Sequence, residues 1–264
     1  MPTKTTSKPK SDRREFFEAV RNGVLIGVVA LLLALPAMKY FQSQRATLPN
    51  SPAAVQQQPP APSAQRQPAP ILASFGDTDA SSEARQVATW AFHTRDNQGK
   101  AVVVIDKAHA KVFVFNTDGQ LKAATPALLG SAKGDDSVPG IGELPLSQVT
   151  PEMRTTPAGR YVAEPGVNAN GEDIIWVDYN VAVSMHRVRP NVKAERRLER
   201  LASPTVDDNR ISYGCVNLPV AFYEQVLSPT VKSAGAIIYV LPETTTAARL
   251  FGSYDIPLQQ FAQK

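Results

Sequence analysis

One cysteine and three histidines stand out among the residues of this chain whose types could carry nucleophilic chemistry. Cys215 sits in Ile211-Ser212-Tyr213-Gly214-Cys215-Val216-Asn217-Leu218-Pro219, directly after a glycine and between a polar stretch and an apolar turn. A lone cysteine has no intramolecular disulfide partner, and its two readings are a nucleophile or a small buried hydrophobe. The thiolate is the attacking species, and a thiol of pKa about 8.5 needs a base at neutral pH. His186 ends an alternating run over 181–186 and stands where that strand gives way to a polar segment. His93, near the end of a helical stretch beside a polar run, reads as a solvated loop residue, and His109, in a turn between two strand-type runs, as structural. A Cys215–His186 pair would be an activated nucleophile. Its imidazole would be oriented through the second nitrogen by Ser212, Ser184 or a backbone carbonyl, and the sequence leaves the three open. Gly214 permits a tight turn that aims the amides of Tyr213, Gly214 and Cys215 at one point, an oxyanion hole. Scattered histidines and a single cysteine make no ligand cluster, so neither a metal nor a cofactor is expected.

The elements that must position these residues begin near residue 76. Ser81 precedes a helical stretch in which Val87, Trp90 and Ala91 share a face, a capping pattern. Strand-type runs follow at 101–105 and 111–115 as a hairpin, then the Asn116-Thr117-Asp118-Gly119 turn, then runs at 159–163, 173–177, 181–186 and 236–241. Only 194–201 and 221–227 read as further helices. Short strands separated by turns predict a single, mainly β, sandwich-like domain over 76–264 with a few short helices.

Charge separates this domain from what precedes it. Residues 1–74 carry nine basic and three acidic side chains, net +6, and residues 75–264 carry 19 basic and 21 acidic, net −2. The folded part is therefore not basic, which argues against a nucleic-acid partner. Residues 1–21 read as a basic cytoplasmic segment and 22–41 as a transmembrane anchor or export signal, since 22–38 holds no charge. Residues 42–75, with seven prolines from Pro49 to Pro70, read as a disordered linker. The expected location is a single-pass inner-membrane protein with its domain in the periplasm, or an exported protein if the signal is cleaved.

His186 followed by Ser212-Tyr213-Gly214-Cys215-Val216-Asn217 resembles the signature of the L,D-transpeptidase catalytic domain of the YkuD type, a histidine, a spacer, then Ser/Thr-His-Gly-Cys-hydrophobic-Asn/Arg. Thr155-Thr156-Pro157-Ala158-Gly159-Arg160-Tyr161 is similar to that family's Thr-Pro-x-Gly-x-Phe segment, and the hairpin ending in Asp118-Gly119-Gln120-Leu121 to its opening unit. The resemblance spans roughly residues 100–241. It implies an enzyme that cross-links or trims peptidoglycan stem peptides through a Cys215 thioester. His186 and Ser212 would serve as further catalytic groups, and Tyr213, Asn217, Arg187 and Arg210 would contact substrate. Its alternatives are an L,D-carboxypeptidase or an inactive wall-binding module of the same fold, and the catalytic domain is expected to be monomeric. Three features depart from the pattern: Tyr213 replaces a histidine, Arg187 replaces a common glycine, and 28 residues separate His186 from Cys215, a longer spacer than is usual. The extra stretch, 187–210, is rich in arginine and is expected to form a lid whose basic face meets substrate carboxylates.

Overall fold

Strand β1 (Ala101–Asp106) is buried along its whole length, because both of its faces are covered. Val103 and Ile105 face a sandwich core that contains Ile175, Met185 and Leu218. Val102 and Val104 face the other way, onto Val87, Ala91 and Phe92 of helix α1 (Ser82–His93). Strand alternation thus assigns one apolar run to two cores. Helix α1 starts where the sequence places its cap: the Ala84 N–H donates to the Ser81 hydroxyl at 3.1 Å. The computed structural model describes residues 70–257.

Ten further strands complete the body. They are β2 (Lys111–Phe115), β3 (Leu121–Pro126), β4 (Leu129–Gly130), β5 (Gly159–Val162), β6 (Glu164–Val167), β7 (Asp173–Asp178), β8 (Val183–Arg187), β9 (Arg210–Ser212), β10 (Val216–Leu218) and β11 (Ala236–Val240). One sheet has the order β3-β2-β1-β11-β5, a second β10-β8-β7-β6, and β4 pairs with β9. The expected hairpin is present, with Asp106 opposite Lys111. The turn after β2 is held by Asn116, whose Oδ1 accepts from the Asp118 and Gln120 amides. The pairing that matters most for chemistry is β10 with β8. It is parallel and sets Val216 opposite Met185 and Asn217 opposite His186. Cys215, one residue before β10, is thereby delivered beside Ser184 and His186.

Helices are few and short: α2 (Arg197–Ala202), α3 (Val220–Phe222), which continues through the π-helical turn Tyr223–Leu227 into α4 (Ser228–Ala234), and α5 (Ala247–Phe251). The mainly β architecture agrees with the sequence reading, and the differences have local causes. The run 181–186 becomes strand only from Val183 because Ala182, at φ +55°, belongs to the preceding turn. The helix expected over 194–201 is split, since Arg196 adopts φ +49° between a 3₁₀ turn at Lys193–Glu195 and α2. Ser74 bonds to the Gly119 carbonyl and Phe75 packs on Phe113 and Phe115, so the folded body takes in residues ahead of 76.

The expected anchor at 22–41 and most of the linker at 42–75 lie outside the described residues. Among the described residues, no helix is long and apolar enough to cross a membrane. The single-pass inner-membrane placement read from the sequence is corrected accordingly.

Candidate active site

The turn between β9 and β10 is closed by its own first side chain. The Ser212 hydroxyl donates to the Cys215 carbonyl at 2.6 Å and accepts from the Gly214 N–H at 3.1 Å. Gly214 has φ +126°, and a Cβ there would come within 2.8 Å of the Thr155 carbonyl oxygen. The same turn is braced from behind by buried Thr156. Its hydroxyl donates to the Gly214 carbonyl at 2.7 Å and accepts from the Gly130 N–H at 2.9 Å. Glycine is required at 214 both by its dihedral and by this close approach. Gly214→Ala should therefore cost about 1–3 kcal/mol of stability and reduce Cys215 alkylation. Denaturant titration alongside an iodoacetamide time course checks both, and a fully stable, fully reactive variant would refute the account.

Cys215 is half-buried, and its Sγ lies 3.7 Å from the Ser184 hydroxyl and 3.6 Å from the Ala182 carbonyl. His186 projects from the same face of β8 as Ser184. Its Nδ1 is 2.8 Å from the Arg187 carbonyl. A carbonyl can only accept, so Nδ1 carries the proton and Nε2 is left for the thiol. Burial opposes the imidazolium. Its hydrogen bond and attraction to Cys215, with the Arg187 carbonyl, outweigh that cost and hold His186 above its usual pKa. Burial likewise pushes the thiol up, but the His186 bond and charge, together with Ser184, bring Cys215 below its usual value. Both directions favour a thiolate–imidazolium pair, the activated form of a cysteine nucleophile.

The structure settles which candidates meet. Cys215, His186, Ser212, Tyr213 and Asn217 all line one cleft of about 470 Å³, together with Leu146, Arg189, Asn191, Val192, Glu195 and Arg197. Of the three groups able to orient the imidazole, it is the backbone carbonyl of Arg187 that does so; Ser212 is turned inward to the loop and does not hold the ring. The Gly214 amide is consumed by Ser212, which leaves the Tyr213 and Cys215 amides as the oxyanion candidates. Asn217 is fully buried, donating to the Cys215 carbonyl at 3.2 Å and accepting from Arg197 at 2.6 Å. Tyr213 forms a wall, with the Arg154 guanidinium 3.8 Å from its ring centroid, a cation–π contact.

Two arginines expected to touch substrate are elsewhere. Arg187 follows His186 on the strand and so points to the opposite face, where it pairs with Asp173 and Glu224 and stacks on Tyr223. Arg210 is nearly buried against Glu243 and donates to the Lys107 carbonyl at 2.8 Å. The segment 187–210 does border the cleft, but through Arg189, Asn191, Val192, Glu195 and Arg197. His109 pairs with Asp106 in its turn, as a structural reading requires. Among the described residues no cluster of three or more metal-ligating side chains occurs.

Lys107 was invisible to sequence reasoning because a lysine in a hairpin turn reads as solvated. It is fully buried and spends its three protons on Asp135 Oδ1 at 2.9 Å and the carbonyls of Gly134 at 2.5 Å and Thr156 at 3.0 Å. It therefore holds the residue that braces the nucleophile's turn.

No family model matches the sequence, and no curated protein matches it. Several solved structures share features of the fold. An L,D-transpeptidase from Mycobacterium smegmatis is 17% identical, with 53% of this chain and 58% of that one aligned at a TM-score of 0.30. An Enterococcus faecium L,D-transpeptidase is 14% identical over 54% of this chain and 50% of that one, TM-score 0.32. The helical cell shape determining protein Pgp2 from Campylobacter jejuni is 12% identical over 56% and 49%, TM-score 0.37. The chain spans about half the length of these structures. A likeness at such scores carries no weight for function, which has to be read from the side chains of the site.

Proposed function

We propose that this protein is a cysteine acyltransferase acting on peptidoglycan stem peptides, an L,D-transpeptidase. The observation that carries the reading is the Cys215–His186 pair, oriented by the Arg187 carbonyl and opening into a cleft. The resemblance of Ser212–Asn217 and of Thr155–Tyr161 to that family's motifs supplies the substrate class. Cys215 Sγ attacks the carbonyl of the third residue of a tetrapeptide stem, and the developing oxyanion is met by the Tyr213 and Cys215 amides. His186 then gives its proton to the departing D-alanine amine as the carbon–nitrogen bond breaks. An acceptor amine attacks the thioester, His186 takes the proton from that amine, and the thiolate is released. The 187–210 segment, which lines the cleft through Arg189, Asn191, Val192, Glu195 and Arg197, limits the entry of water, which favours an amine acceptor.

The test is to incubate the full chain with a disaccharide-tetrapeptide and separate the products. A cross-linked dimer with release of D-alanine is expected. Tripeptide and D-alanine without dimer would make it an L,D-carboxypeptidase, and unchanged tetrapeptide would remove the enzymatic reading in favour of a wall-binding module.

A further inference from the structure

The inserted segment brings a guanidinium to the floor of the cleft and covers it with its own carboxylate. Arg196, at φ +49°, makes a left-handed turn that no glycine supplies, a conformation that costs a non-glycine residue energy. Its own side chain stands in solvent, 71% exposed, while the next residue, Arg197, is 13% exposed and reaches inward. Arg197 Nη1 donates to Asn217 Oδ1 at 2.6 Å, and Asn217 in turn donates to the Cys215 carbonyl. Arg197 Nε donates to Glu195 Oε2 at 2.5 Å. Both partners line the cleft that holds Cys215 and His186. The charge of Arg197 is felt by His186, whose imidazolium it opposes.

Two details mark the Glu195 contact as a placeholder. The carboxylate is held through one guanidinium nitrogen, whereas the favoured arrangement is a two-nitrogen fork. It also comes from two residues away on the same segment, so it can leave without unfolding anything else. Other cations of the segment are engaged: Arg200 bonds the Glu195 and Asp208 carbonyls, and Arg189, which also lines the cleft, pairs with Glu172. Position matters as well. Asn217 lies two residues beyond Cys215, and two strand residues cover about 6.6 Å, close to the reach of one amino acid and its carboxylate from a reacting carbonyl.

We propose that Arg197 is the carboxylate-binding residue of the cleft and that Glu195 is an internal occupant which the free carboxylate of an acyl donor displaces. This rests on Cys215 being the nucleophile. The site selects donors that carry a free carboxylate within one residue of the reacting carbonyl, and it discriminates against amidated or extended chains, which leave the guanidinium with Glu195. Empty, the cleft is self-neutralised; loaded, it places a donor's terminus on Arg197 while Glu195 swings out.

A pair of affinity labels tests this without any cell-wall substrate: N-bromoacetyl-D-alanine and its C-terminal amide. Cys215 displaces bromide from either, forming a carbon–sulfur bond while His186 retains the thiol's proton. Rates on the full chain are divided by those on free cysteine to remove intrinsic differences. A charge-assisted contact predicts that the acid is preferred about 10-fold or more. Arg197→Met should bring the preference to about 1, Arg197→Lys should keep part of it, and Glu195→Gln should widen it severalfold by removing the competing charge. Equal rates in the native chain, a preference that survives Arg197→Met, or one that shrinks in Glu195→Gln would each overturn the proposal. Because only the ratio is read, a general loss of reactivity in a variant does not imitate the result. If neither label modifies Cys215 faster than free cysteine, the nucleophile itself is lost and both readings fall. Acid selectivity without turnover of tetrapeptide would instead retain the binding site and reject the wall substrate.

Discussion

Replacing His186 by alanine should lower acyl transfer by about 10²- to 10⁴-fold and raise the pH at which Cys215 becomes reactive. The thiol is held below its ordinary 9.0 because His186 outweighs the cost of burial. With the imidazole gone, only the Ser184 bonds still oppose burial, so the thiol titrates higher than in the native chain. Alkylation by iodoacetamide reads the thiolate directly. In the native chain the midpoint of its pH profile should lie below 9.0, and in His186→Ala it should move to higher pH. Turnover needs the imidazolium as well, as the acid for the leaving amine. It should therefore fall on the alkaline side through the His186 titration, which lies above the ordinary 6.5. The native profile is a bell whose limbs belong to the pair rather than to either residue. Identical alkylation profiles for the two proteins would sink the assignment of His186 as partner.

What the sequence disclosed and what it withheld divides along the range of the interactions. The β1–β2 hairpin and the Ser81 cap were legible because their determinants are neighbours in the chain. Cys215 and His186 stand out as candidates because few side-chain types are chemically able to form an activated nucleophile. The orienting group for the imidazole was not, since a backbone carbonyl has no residue signature. Arg187 and Arg210 were misread because charge composition carries no direction. Strand parity turns Arg187 away from His186, and Glu243, 33 residues distant, claims Arg210. Tiny strands such as β4 and β9 carry too few residues for alternation to register, and β6 includes Pro165. The parallel pairing of β10 with β8 is what turns two residues far apart in sequence into one site. Nothing local announces it.

Lys107→Met should produce the largest loss of stability among these substitutions, about 3–5 kcal/mol or on the order of 10 °C in Tm for a body of this size. Burial pushes Lys107 below its ordinary 10.5, and Asp135 and Glu243 pull against it, so the ammonium is retained only through its partners. Methionine fills similar volume but strands the carbonyls of Gly134 and Thr156 and withdraws a cation from Asp135. That carboxylate keeps the Thr244 hydroxyl and the amides of Glu243 and Thr244, which places the expected loss at the lower end. The network also fixes a pH dependence. Burial raises the Asp135 pKa, but the Thr244 and Lys107 bonds and the neighbouring amides outweigh it and hold the carboxyl below its ordinary 3.8. A carboxyl with a lower pKa folded than unfolded binds fewer protons in the native state. Its stabilisation is present above pH 3.8 and is lost as pH falls toward the native value. In Lys107→Met the native Asp135 pKa moves up toward 3.8, so that acid loss should be smaller and complete at a higher pH. The effect reaches the site through Thr156, whose carbonyl Lys107 holds and whose hydroxyl grips the Gly214 turn. Cys215 alkylation in the folded variant should therefore slow about tenfold through misplacement alone. Denaturation at pH 7 and pH 3, with alkylation measured well below the variant's Tm, separates the two consequences. A Tm within 2 °C of the native chain, itself about 1 kcal/mol or less, would show that the buried lysine is dispensable and that the Gly214 turn stands without it.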